Sequence, residues 1–290
     1  MRCDLHVHTR HSGMCTVPVA SAFCRESYTE PRAVYERLKR VGMDLVTITD
    51  HDSIDAAEEL RSRPDFFLSV EASCTMPSGL PVHIGIYDIT DRQYLRIDRL
   101  RSDFFSLIEY LNEHRVLFSI NHAFSKLTGR RSPADFEFFQ TWFPAVEALN
   151  GSMIPAVNRA ASDLAARAGA AGIGGSDAHT LASAGTAWTR VPAARTRAEF
   201  FAGVRAGRAV VEGEPGSWRK LTRDVLSVCG SMLGETPLMA LAAPLVLGVP
   251  VVTLINCGIE AAFARRWSQR LAAAAVGENP LGSCAWEPST

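Results

Sequence analysis

Short apolar runs recur along the first two-thirds of the chain, with helical patterns between many of them. Seven runs read as strands, at 2–6, 45–49, 66–70, 82–86, 116–120, 145–149 and 171–174; all are β-branched or followed by turn signals. Pro31 suits a first helical position, and Val34, Leu38 and Val41 share one face behind it. Asp52-Ser53 opens a second helix. A third, over 97–114, carries Leu100, Phe104, Leu107, Ile108 and Leu111 at helical spacing. Shorter helices are predicted over 134–139 and 155–168, the latter ended by Gly169. Strand–helix alternation implies a parallel sheet with right-handed crossovers. Seven such units suit a closed or nearly closed α/β barrel. The runs on either side of Met76-Pro77-Ser78-Gly79 are an exception, because their link is too short for a helical crossover and predicts a hairpin.

The pattern changes after Gly207. Glu212-Gly213-Glu214-Pro215-Gly216 reads as a linker or long turn, which divides the chain into a barrel unit, 1–212, and a C-terminal extension, 213–290. Residues 236–259 are uncharged and long enough to span a membrane. Pro244, Gly248 and Pro250 would interrupt a helix there. Basic residues flank both sides (Arg219, Lys220, Arg223; Arg265, Arg266, Arg270), so no positive-inside asymmetry is present. A segment buried in the fold or covered by a partner is favoured over a membrane-associated one.

Composition narrows the function. A formal net charge of -1 provides no general field for nucleic acid or acidic membranes. Seven Cys, odd in number and irregular in spacing, do not form a disulfide framework. The N-terminal Arg2-Cys3-Asp4-Leu5 run has neither the basic nor the apolar region of a signal peptide, giving an expectation of a cytoplasmic protein.

Six stretches end in residues that ligate metals: His6-Val7-His8, Asp50-His51-Asp52, Val70-Glu71, Val82-His83, Asn121-His122 and Ser176-Asp177-Ala178-His179. Nearly all follow an apolar run. Side chains placed just after successive parallel strands converge at one end of a sheet or barrel. Strand side chains alternate, so His6 and His8 point the same way and can grip one ion, and Asp177 and His179 repeat that spacing. Glu71 stands where an apolar core residue is expected, and an unpaired buried carboxylate is costly, so metal coordination is its natural compensation. A satisfied core His is common, and His83 or His122 alone is weak evidence; the set carries the argument.

These motifs, together with Glu147-Ala148-Leu149-Asn150-Gly151, resemble the PHP family, named for its polymerase-associated and histidinol-phosphatase members. The resemblance covers about 1–208. It implies a distorted seven-stranded (β/α)7 TIM-like barrel with a C-terminal apolar extension left over. It also implies two or three divalent metals at the C-terminal strand ends, and phosphoester hydrolysis. By position, His6, His8, Glu71 and Asp177 resemble the ligands of one metal. Glu71 would bridge to a second, held by His83 and His122, and His51 and His179 resemble the imidazoles of a third site. The family supplies that third site with an Asp in a Ser-Asp-Gly turn. Here the turn reads His11-Ser12-Gly13-Met14, so Gly13 takes the place of the Asp. The expectation is two firmly held ions, with the third site weak unless His11 or solvent completes it.

Mixed imidazole and carboxylate ligands suit Mn, Zn or Fe, and Mg less. Such ions lower the pKa of a bridging water and hold phosphoryl oxygens. Glu71, Asp177 and His179 are the candidate catalytic residues. Lys126, Arg130 and Arg131, in the loop after His122, are candidates to bind substrate phosphate, with a solvated loop as the equal alternative. No basic stripe with interleaved aromatics marks a nucleic-acid groove, which favours a small phosphorylated metabolite or nucleotide. An amidohydrolase-type hydrolase and a catalytically degenerate sensor or scaffold are the competing readings.

Overall fold

The computed structural model describes residues 1–15, 20–22, 24–235, 244 and 246–275. It is an α/β fold with mixed sheets. Five strands, β2 (Leu68–Thr75), β3 (Pro81–Ile89), β4 (Leu117–Ile120), β5 (Ala145–Asn150) and β6 (Ala171–Gly175), form one sheet in that order. β1 (Arg2–Cys3), β7 (Ala187–Arg190) and β8 (Val210–Gly213) form a second, in the order β1-β7-β8. The hairpin turn expected at 76–79 is present, and β2 and β3 pair antiparallel along their whole length. That reversal makes β3–β4 antiparallel as well, so the all-parallel sheet is corrected: only β4–β5–β6 run parallel. The runs at 45–49 and beyond Cys3 do not extend as named strands. They bridge their neighbours singly, Val7 to Ala178, Val46 to Phe66 and His51 to Glu71, all parallel.

Helices fill the connections: α1 (Pro31–Arg40), α2 (Ala57–Leu60), α3 (Asp91–Leu100), α4 (Phe104–Glu113), α5 (Pro133–Trp142), α6 (Pro155–Ala168) and α7 (Arg197–Arg205). The single helix expected over 97–114 is two, because the Asp103 carboxylate accepts from the Ser106 N–H and starts a new helix there. Asp52 opens no helix. Its backbone is left-handed, φ 52°, and its carboxylate accepts from the Ser73 N–H at 2.8 Å.

Alternation along β2 shows how the site is made. Val70, Ala72 and Cys74 pack with Ile84, Ile86 and Phe118 against the helices. Glu71 emerges from the opposite face. On that face, the bottom is plugged by Leu5, Phe67, Tyr87, Leu117 and Ile173 with Phe200, Phe201 and Val204 of α7. Toward the C-terminal strand ends the apolar side chains give way to Ser119, Glu71, Asn121 and Glu147, all buried.

The extension consists of α8 (Trp218–Glu235) and α9 (Val249–Ala275). Of the uncharged segment, 236–243 and 245 lie outside the described residues. Pro250 does not interrupt a helix; it sits in the first turn of α9, where its missing N–H costs nothing. Thr253, Glu260, Ala264, Trp267 and Leu271 are buried and recur at helical spacing along one face of α9. The Trp267 ring meets Phe136 of α5 at 5.0 Å. On the N-terminal half of α9, Val251, Val252, Leu254, Ile255 and Ile259 are exposed. Among the described residues one helix, 246–274, is long and apolar enough to cross a membrane.

Gly175 ends β6 against the His6 backbone. A Cβ placed there would lie 2.4 Å from His6 Cβ and 2.5 Å from His6 N. Gly175→Ala is expected to displace the segment that carries His6 and His8 and to destabilise the fold by about 1–3 kcal/mol. A thermal melt checks this; an unchanged Tm would show that the two backbones can separate freely.

Candidate metal centre

The Glu71 carboxylate is fully buried at the C-terminal half of the sheet, and five imidazoles face it. Oε2 lies 3.1 Å from His6 Nε2, 3.3 Å from His8 Nε2 and 3.3 Å from His51 Nδ1. Oε1 lies 3.3 Å from His122 Nε2 and 3.7 Å from His83 Nδ1. Asp177 Oδ1 closes the other side, 3.5 Å from His6 Nε2 and 3.4 Å from His8 Nε2, with His179 Nδ1 at 3.7 Å. All eight metal-ligand candidates from the sequence thus meet in one place. Their chain segments differ in kind: Glu71 and His83 lie on paired strands, whereas His122 and Asp177 occupy left-handed backbone just past β4 and β6, at φ 30° and 49°.

The imidazoles are held from behind. His6 Nδ1–H donates to Glu147 Oε1 at 2.6 Å. His8 Nδ1–H donates to Ser12 Oγ at 2.9 Å, and Ser12 donates onward to Asp50 Oδ1 at 2.7 Å. Asp50 also accepts from the backbone N–H and hydroxyl of Thr9, so it shapes the turn after His8. Asn121 donates to Glu71 Oε1 at 2.9 Å, and Asn150 bridges Glu147 and Asp177. The bonds to Glu147 and Ser12 fix the tautomers of His6 and His8 and leave their Nε2 atoms pointing inward. His6 Nε2, His8 Nε2, His51 Nδ1, His83 Nδ1, His179 Nε2 and Glu71 Oε2 are all buried and lack a hydrogen-bond partner. So many orphaned lone pairs aimed at one another would be severely destabilising in a fold meant to stay dry. They fit divalent cations.

The electrostatics divide the imidazoles: His8 and His83 are lowered, whereas the surrounding carboxylates outweigh burial at His6, His51, His122 and His179 and raise them. Burial, helped by the neighbouring His179, pushes His8 down to about 3, and burial likewise takes His83 down to about 3. Both are neutral imidazoles, the form that ligates. Burial alone would lower His6 too, but the Glu71, Asp177 and Glu147 carboxylates overcome it and raise its pKa well above the ordinary value. Burial opposes ionisation of Glu71 and Asp177, yet the surrounding imidazoles hold both carboxyls well below the usual range.

One carboxylate beside the site was missed by sequence reasoning. Glu26 Oε2 lies 3.4 Å from His51 Nε2, and its Oε1 lies 3.7 Å from His179 Nε2. Residue 14 bridges residue 25 antiparallel, and the Glu26 N–H donates to the Gly13 carbonyl at 3.0 Å. Gly13 and Glu26 therefore face each other across a short ladder. Glu26 thus brings a carboxylate to His51 and His179 from opposite Gly13. The apolar stretch before Glu26, residues 17–24, is broken by Pro18 and Ser21 and lacks strand alternation, so the sequence did not single this Glu out.

Of the substrate candidates, Lys126 and Arg130 are exposed. Arg131 is corrected. It is buried and donates to the carbonyls of Ala123, Thr128, Pro81 and Arg130 and to the Thr128 hydroxyl. Its guanidinium is used to fold the loop and is not free for phosphate. Arg25 pairs with Glu235 of α8 at 3.3 Å.

α8 also reaches the loop that carries His179. Asp224 accepts from Thr180 at 3.1 Å and from the Ser183 hydroxyl. Lys220 donates to the Gly151 carbonyl and to Thr186 Oγ1, both at 2.6 Å.

Residues 155–209 match the PHP-associated family model. An uncharacterized protein of Methanocaldococcus jannaschii is 34% identical over 65 residues, 21% of this chain and 34% of that protein. The chain thus spans about a third of the length of that curated relative. Among solved structures, PsfC from Pseudomonas syringae matches 81% of this chain and 98% of its own at 16% identity, with a TM-score of 0.56, a likeness of fold. The lesion-specific endonuclease EndoQ of Pyrococcus furiosus matches 73% of this chain and 58% of its own at 15% identity and a TM-score of 0.47.

Glu26→Gln is expected to reduce the divalent metal retained after dialysis while leaving the circular dichroism spectrum unchanged. Metal analysis of both proteins side by side decides this. Equal metal content would remove Glu26 from the ligands of the centre.

Proposed function

We propose that this PHP-family chain is a metal-dependent phosphoesterase acting on a small phosphorylated metabolite or nucleotide. The observation that carries the proposal is the Glu71 carboxylate, sealed from water among inward-pointing imidazole nitrogens that have no other partner. Four groups of three ligand atoms each fall within 4.8 Å: His6, His8 and Glu71; His6, His122 and Asp177; His51, Glu71 and His83; and His8, His51 and His179. We assign one ion to His6, His8, Glu71 and Asp177. A second is assigned to Glu71, His83 and His122, and a third to His51, His179 and Glu26. Mn, Zn or Fe suits this mixed donor set. Bound there, the ions supply a nucleophilic water at neutral pH and charge to offset the phosphoryl oxygens.

The chain's own residues do the rest. Glu147, Ser12 and Asn121 keep the ligating atoms from turning outward. His179 and His83 are the most open of the site imidazoles, with 26% and 18% of their side chains exposed, so substrate is expected to arrive from that side. Lys126 and Arg130 are the cations available to a phosphate arriving beside His122. The backbone bonds from Leu5 to Gly174, from Asp177 to His6 and from Thr49 to Val7 support reading the seven segments as a distorted barrel closed between its first and last strands.

We read 1–212 as the catalytic unit and 213–290 as a buttress on its rim. The buried Glu260, which accepts from the Lys126 N–H at 2.9 Å, favours a packed α9 over a membrane span. The exposed apolar half of α9 is left as a surface for lipid or a partner. Vesicle sedimentation at high salt tests the lipid reading, which fails if all protein stays in solution.

Glu71→Gln or Asp177→Asn is expected to lower phosphoester hydrolysis by at least 100-fold with the fold intact. The assay is a panel of phosphate monoesters, diesters and amides with Mn²⁺ present. Turnover of amides alone would favour the amidohydrolase reading. Turnover within a few-fold of the parent in either variant would remove these carboxylates from the chemistry.

A further inference from the structure

The ladder that brings Glu26 to the centre also sets two cysteines against each other. The pairing of residues 14 and 25 places residue 15 opposite 24, and the Cys15 N–H donates to the Cys24 carbonyl at 2.9 Å. Directly opposed residues on antiparallel strands send their side chains to the same face, with Cα atoms about 5.5 Å apart in a hydrogen-bonded pair. That lies inside the window of roughly 4.4–6.8 Å which a disulfide needs. The Cys24 thiol donates to the Arg25 carbonyl at 3.3 Å, and Cys229 of α8 is a further free thiol. Both thiols are free, Cys15 partly exposed and Cys24 buried. Cys24 and Glu26 are two apart on one strand and therefore leave the ladder on the same side.

We propose that Cys15 and Cys24 form a reversible dithiol–disulfide pair whose bond staples the ladder that carries Glu26. The oxidant is a peroxide. The partly exposed Cys15 thiolate attacks the peroxide O–O bond, giving a sulfenic acid and one water when the peroxide is hydrogen peroxide. The Cys24 sulfur then attacks that sulfenic sulfur, forming the S–S bond and releasing a second water. Two thiols lose two electrons and two protons in all, and the peroxide takes up both. A dithiol reductant reverses the bond by exchange. The stapling part rests on the assignment of Glu26 to the third metal; the disulfide does not.

The full chain, metal-loaded, is treated with hydrogen peroxide, alkylated and digested. The expected product is 2 Da lighter, with the peptides containing Cys15 and Cys24 joined and the join reversed by dithiothreitol. Cys229→Ser is expected to keep this link and Cys15→Ser to lose it. Oxygen additions without a link, a link to Cys229 or another cysteine, or no reaction would each overturn the pairing. Release of metal to a chelator, followed by colorimetric indicator, is expected to slow several-fold for one ion in the oxidised protein and not in Cys15→Ser. A formed link with unchanged release would overturn the stapling. Protein that never holds metal would instead count against the metal assignment, while the peptide map still reads the disulfide.

Discussion

Glu71 sets the terms for everything around it. A carboxylate with no exposure to solvent and several unpartnered imidazole nitrogens at 3.1–3.7 Å cannot rest in an apolar interior. The cost of isolating such a charge is several kcal/mol, and it falls only if cations sit among the groups. The architecture serves that requirement. An apolar plug of Phe67, Tyr87, Leu117 and α7 seals the bottom, so the polar residues crowd at one end. A ring of Glu147, Asn121, Asn150, Ser12 and Asp50 then satisfies the outward atom of each ligand it touches. The inward atoms are left for metal.

Much of this was legible before any coordinates, and for a physical reason. His6, His8, His122, Asp177 and His179 follow apolar runs, so the hydrophobic pattern placed them as well as naming them, whereas Glu71 and His83 lie within the paired strands β2 and β3. Where one face of a strand is buried, the alternation of side chains fixes which residues face the site. The misses follow the same logic in reverse. Glu26 reaches the centre through a short ladder in a loop, where no period exists to be read. β7 and β8 are brief, and β8 is largely uncovered, so neither has a strong apolar pattern. Arg131 looked like a ligand for phosphate because it lies in a basic cluster. Only the fold shows that its donors are spent on carbonyls.

The extension illustrates how far a composition shift can be trusted. The change after Gly207 is real, and the linker reading of 212–216 marks where β8 ends. It does not mark the edge of the site's support. Lys220 and Asp224 reach back over the boundary to hold Gly151, Thr180, Ser183 and Thr186, the frame in which His179 sits. Side chains of alternating charge on a helix face carry no sequence sign of what they grip, which is why this tie was invisible.

The order of the ligands along the chain has a consequence for how the protein is made. His6 and His8 leave the ribosome first, and Asp177 and His179 follow roughly ten to thirty seconds later at ordinary rates of synthesis. Throughout that interval the first two imidazoles have Glu71 but lack Asp177, the second carboxylate that faces them, and the backbone bond from Asp177 to His6 cannot form. The hairpin of β2 and β3 can assemble early, because its contacts are local. Closing the centre demands that the two ends of a long segment meet. Cation capture therefore belongs to the end of folding, and a ribosome stalled short of β6 holds a nascent chain that can bind metal only loosely.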